Sequence, residues 1–144
     1  MKRQALSLIS LLSLLLVAGL AVAQTSHVRS NVPFNFTVGN KTLPAGTYDI
    51  RAISSSGDNT LLLQARDGNS SMMVFSNAAE NVKPADKTKL VFNRYRDQYF
   101  LTEIWVEGAT RGRQLPKTSR EKELAKELAQ DLTHRRVEIV ASLY

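Results

Sequence analysis

Cysteine is absent from all 144 residues. Its absence rules out disulfides, thiol nucleophiles and thiolate zinc sites together. Small domains exported by eukaryotic cells usually lean on disulfides, whereas this chain must hold together by its core alone, which fits a bacterial envelope or secreted protein. Histidine is scarce, with His27 and His134 the two examples. A triad base must be held rigidly with a carboxylate behind it. His27 stands in a polar stretch near the start, and His134 stands beside Arg135 and Arg136, where a cation suits a helix end. Neither is expected to be catalytic. There is no G-x-S-x-G turn. Asp58 and Asp67 lack the D-x-D-x-D-G spacing of an oxygen-ligand loop. No cofactor, no metal and no enzymatic activity are expected.

Charge is missing from one long stretch, Ala5 to Ala23, which is rich in leucine and follows Lys2 and Arg3. A short basic start, an apolar run and the small residues Ala21 and Ala23 form the pattern of a secretory signal peptide cleaved before Gln24. An uncleaved anchor is the rival, since the run is nearly long enough to cross a bilayer. The serines within it, Gly19 and the A-x-A ending favour cleavage. Removing 23 of the 144 residues leaves 121, enough for one domain over 24–144. Lys2 and Arg3 leave with the leader, so the formal charge of +6 becomes +4. Basic and acidic residues are interspersed and no recognition motif occurs, so nucleic acid is not an expected partner. A secreted or periplasmic location follows, with no membrane contact after cleavage.

Short alternating segments dominate the rest. Gln24 to Ser30 reads as a polar arm. Val32, Phe34, Phe36 and Val38 then fall on one face of a strand, with Pro33 marking an edge. Thr47 to Ile53 alternates again. Thr60–Arg66 and Ser71–Ser76 flank Asp67-Gly68-Asn69, a hairpin signal of type I′. Asn77 to Lys87 is polar and reads as a connection. Lys89–Tyr95 and Gln98–Val106 form a second hairpin about Arg96-Asp97, and Gly108 to Gly112 breaks the pattern. Thr118 to Leu132 is the one convincing helix, with Thr118 and Glu121 spaced as a capping box and Leu124, Leu128 and Leu132 in one stripe. A closing strand is expected over 136–143. Six to eight antiparallel strands before one late helix describe a β-sandwich or a small barrel.

The run Val32-Pro33-Phe34-Asn35-Phe36-Thr37-Val38-Gly39, followed by Leu43-Pro44-Ala45-Gly46-Thr47-Tyr48, resembles the opening of a family of small exported bacterial proteins of uncharacterised function. Asp97-Gln98-Tyr99-Phe100-Leu101 and Leu115-Pro116 are similar to that group as well. The resemblance implies an exported β domain and carries no functional residues with it.

Two clusters invite a chemical reading. Glu103 and Glu107 alternate onto one strand face around Trp105, which suggests a glycosidase pair. Four residues along a strand span about 13 Å, beyond the roughly 5–10 Å such pairs need, so an exposed acidic face is the preferred reading. The second cluster is aromatic. Strict alternation puts Tyr99 and Trp105 on one face, with Tyr95 on the neighbouring strand and Arg94 and Arg96 at the turn. Rings with polar tips suit a protein or cell-envelope glycan partner, and guanidinium groups add anion capture. Arg111 and Arg113 fall near the other end. The sequence therefore points to an exported binding or structural domain. A carrier of small apolar ligands is the alternative, its barrel wall lined by Met72, Met73 and Phe75.

Overall fold

The computed structural model describes residues 27–53, 59–129 and 134–144. The expected leader, with Ala21 and Ala23, lies outside them. The elements run β1 (Val28–Val32), β2 (Phe36–Val38), β3 (Lys41–Leu43), β4 (Gly46–Ala52), β5 (Thr60–Ala65), β6 (Ser71–Phe75), β7 (Asn77–Glu80), β8 (Lys89–Tyr95), β9 (Gln98–Trp105), β10 (Arg111–Gln114), α1 (Ser119–Glu127), β11 (His134–Val140) and β12 (Ser142–Leu143).

Two sheets form a β-sandwich without a closed barrel. The first has the order β12-β1-β4-β5-β6, antiparallel throughout. The second has the order β11-β8-β9-β10-β7, and the β2–β3 hairpin joins it through a parallel pairing of Thr37 with Phe100. At both flanks the chain passes directly from one sheet to the other. β6 becomes β7 across Ser76, and β11 becomes β12 across Ala141. Strands that bend between sheets make the corners of such a fold.

Alternation explains the core. Tyr48 and Ile50 of β4, Leu61 and Leu63 of β5, and Leu90 and Phe92 of β8 point inward and are buried. Phe36 meets Tyr48 and Phe92 edge-to-face at 5.1 and 5.4 Å, and Phe34 meets Phe92 at 5.2 Å. Each such ring pair contributes about 0.5–1.5 kcal/mol beyond the burial of area. The Tyr48 hydroxyl donates to the Pro44 carbonyl at 2.7 Å, so the ring is buried with its polar tip satisfied.

Several local expectations change. The polar arm is in part a strand: Val28, Ser30 and Val32 face inward along β1. Ser30 tolerates that position because its hydroxyl donates to the Val140 carbonyl at 3.1 Å. Pro33 therefore follows β1, which lies between β12 and β4, and does not open an edge strand. The polar connection after Ser76 contains β7, and the glycine-flanked break yields β10, which pairs with both β7 and β9. Strand number exceeds six to eight because β3, β7 and β10 form in stretches read as turns or connections, β1 and β2 are separated at residues 33–35, and the corner at Ala141 divides the closing segment into β11 and β12.

The Asp67-Gly68 hairpin closes through four residues with one positive φ, 76° at Gly68, so it is not type I′. The Asp67 carboxylate accepts from the Asn69 amide at 3.0 Å and shapes that loop. α1 spans Ser119–Glu127, shorter than expected, with Thr118 Oγ1 accepting from the Glu121 amide at 3.0 Å; 130–133 lie outside the described residues.

Candidate functional site

The course of β9 decides the fate of the aromatic cluster. Val91 pairs with Glu103, but Phe92 pairs with Leu101, so Thr102 is an extra residue in the ladder. Its hydroxyl donates to the Val91 carbonyl at 3.0 Å, and its carbonyl accepts from the Leu115 amide at 2.8 Å. One inserted residue exchanges the faces of everything beyond it. Before the bulge Tyr99 and Leu101 face the core and Phe100 faces outward. After it Ile104 faces the core, while Glu103 and Trp105 face outward.

Tyr95, Tyr99 and Trp105 thus fail to share a surface. Tyr95 is buried beneath α1, packed edge-to-face on Phe100 at 5.8 Å beside Leu124 and Leu128. Burial and the nearby Glu121 carboxylate, which accepts a hydrogen bond from it, push the Tyr95 phenol pKa above its usual value. Asn93 donates to the same Glu121 oxygen at 2.9 Å, so this carboxylate is 2% exposed yet held by side chains of β8. Tyr99 stacks on Phe34 at 3.8 Å on the inner face.

Trp105 is 3% exposed. A Cβ on Gly112 would stand 2.6 Å from its ring and 2.8 Å from the Ile104 carbonyl, so only glycine lets β10 cross here. The turn does bring Arg94, Arg96 and Tyr99 together. The Arg94 guanidinium lies 5.4 Å from the Tyr99 ring and donates to the Arg96 carbonyl at 2.7 Å. Arg111 and Arg113 lie apart from it, paired with Glu80 at 3.2 Å and Asn59 at 3.5 Å.

Glu103 is tied into a fixed network. Arg136 grips it with two hydrogen bonds of 3.0 and 2.8 Å, and the Trp105 indole donates at 2.7 Å. Burial would raise its pKa. The bonds from Arg136 and Trp105, together with the charges of Arg136 and Lys89, outweigh burial and hold the carboxyl below its usual range. A general acid for glycoside cleavage needs the opposite shift. Glu107 does not join the network and is exposed.

The outer face of the first sheet presents a different candidate. Pairing sets Thr60, Leu62 and Gln64 of β5 beside Phe75, Met73 and Ser71 of β6. Phe75 is 72% exposed and Met73 64%, and Ile53 at the end of β4 is exposed as well. Only Met72 and Val74 turn inward, where they pack partly buried against the core and near Gly39. Two of the three residues expected to line a ligand cavity therefore face solvent.

The backbone of β6 is also available. The Ala65 amide bonds to the Ser70 carbonyl and the Ser76 amide to the Asn59 carbonyl. Those pairs fix the alternation: Met72 and Val74 bond toward β5, while Ser71, Met73 and Phe75 direct their N–H and C=O groups away from it. No described strand pairs on that side. Lys41 Nζ donates to the Ser71 carbonyl at 3.3 Å. Sequence reasoning missed this surface because both faces of SMMVF are apolar, so alternation could not tell inside from outside.

Compared with known proteins, the chain matches no family model, no curated protein and no solved structure.

Proposed function

We propose that this chain is an exported, non-enzymatic binding domain of the bacterial envelope or secretome, and that it meets its partner through β6. One observation carries the reading: Met73 and Phe75 stand exposed side by side on a strand whose outer edge pairs with no described strand, the Ser71 carbonyl accepting from the Lys41 side chain. An apolar pair of this kind marks a contact surface, and a free strand edge offers main-chain hydrogen bonds to an extended partner segment. The resemblance of Val32–Gly39 and Leu43–Tyr48 to small exported bacterial proteins agrees with such a role, as does the leader read in residues 1–23.

A macromolecular partner is preferred over a small apolar ligand because Met73 and Phe75 point away from the sandwich interior. Catalysis by Glu103 is disfavoured by its grip in the Arg136–Trp105 network. The test is a photoreactive amino acid placed at position 75, and at Thr110 as a comparison, in the bacterium that produces the protein. Irradiation should give discrete adducts from position 75, identified by mass spectrometry, and none from position 110. Equal adducts from both positions, or none from position 75, would overturn the reading.

A further inference from the structure

Exposed strand edges are templates for pairing, and proteins defend them with charge, proline or brevity. In the first sheet β12 is a two-residue edge. In the second, β11 carries Arg135, Arg136 and Glu138, and β7 carries Glu80. The hairpin strand β3 is three residues long and begins with Lys41. β6 is the exception. Its five residues Ser71-Met72-Met73-Val74-Phe75 hold no charge and no proline. Among the described residues its one guard is the exposed Lys41 ammonium on the Ser71 carbonyl.

We infer that β6 pairs with β6 of a second copy of this chain, antiparallel about a two-fold axis through Met73. The inference rests on the binding role proposed for β6 and names its occupant. The main-chain groups that point outward belong to Ser71, Met73 and Phe75. In this register Met73 meets the partner's Met73, and Ser71 meets the partner's Phe75 on either side. Each of these pairs exchanges two main-chain hydrogen bonds. The same patch on both subunits is used, as a two-fold contact demands.

Side chains fit the register equally well. On the outer face Leu62 is the cross-strand neighbour of Met73, so pairing joins two short apolar stripes into one that crosses the axis. No charged residue of β6 opposes another in this register. Lys41 gives up one exposed hydrogen bond to solvent, a small cost. The formal charge of each chain, +6 with the leader and +4 without it, opposes association and is screened by salt. A stable interface covers about 800 Å² per partner. A five-residue edge covers less, so the dimer dissociates on dilution.

The absence of cysteine makes the test clean. In a hydrogen-bonded antiparallel pair the Cα atoms stand about 5.5 Å apart, within the roughly 4.4–6.8 Å that a disulfide spans. The protein is taken as recovered, with its amino terminus read by mass spectrometry. Under mild oxidation Met73→Cys should give a covalent dimer at least tenfold faster than Leu62→Cys. The latter residue lies on the same face but three strand spacings, about 14 Å, from its counterpart.

Sedimentation velocity should show wild-type dimer growing with concentration, and Met73→Lys should abolish it by facing two ammonium groups across the axis. Equal cross-linking of both cysteine variants would overturn the proposal, as would a wild type that stays monomeric up to about 1 mM or a dimer unchanged in Met73→Lys. If self-pairing fails in these ways while position 75 still cross-links to a different protein, the self-association falls and the broader binding role stands.

Discussion

Arg96 is the one described residue other than glycine with a positive φ, 53°. It occupies the two-residue turn between β8 and β9, where a side chain crowds its own carbonyl at a cost of about 1–2 kcal/mol. Glycine escapes that clash but gives the unfolded chain more freedom, which returns about 0.4–1 kcal/mol. Arg96→Gly should therefore raise stability by about 0.5 kcal/mol, read as a later urea midpoint with an unchanged slope. An earlier midpoint would mean that the exposed guanidinium contributes more than the backbone strain removes.

Glu103 supplies a prediction about pH. Its folded pKa is depressed, so its contribution is in full force above the ordinary carboxylate range and fades as pH falls through about 4 and below. Asp49 shifts the same way, chiefly through its hydrogen bonds with Arg29 at 2.6 and 3.0 Å. Thermal midpoints should fall as the solution is acidified from pH 5 toward 2. Glu103→Gln should flatten part of that fall, because the amide has no proton to gain. Parallel curves for the two proteins would show that the network adds no pH dependence.

At the scale of elements, alternation located β4, β5 and β8 because each has a clear apolar face, while β6 was located by the hairpin signal at Asp67-Gly68. Alternation failed beyond Leu101. The face of Trp105 depended on Thr102, and a threonine in a run of strand formers announces no bulge; only the ladder on β8 exposes it. Ser30 misled in another way, since a polar residue in a core position is legible only once its acceptor, Val140 O, is in place. The helix was visible from its leucines. Its docking on Tyr95 and Phe100 was not, because alternation gave those two residues different neighbours. Leu124 is 2% exposed in that contact. Leu124→Ala should cost about 2–3 kcal/mol by lost burial and a residual cavity, measured by chemical unfolding. A change below about 0.5 kcal/mol would show that α1 rests only loosely on the sheet.

For the molecule as a whole, the candidate surface was the least legible part. SMMVF reads as a buried strand from either side, and its exposure follows from its place at the end of the first sheet. Export is the other question at this scale. Replacing Ala23 with a bulky residue should block processing and leave the longer chain associated with the membrane. A recovered N-terminus other than Gln24 in the unaltered protein would move the boundary.

The two corner crossings bear on how such a domain comes apart. A clamshell opens because its halves share a single seam; here Ser76 and Ala141 stitch the halves along both sides. Neither sheet can peel away while its counterpart stays intact, so amide protons in β4 and β8 should exchange with deuterium together, at the rate of complete unfolding.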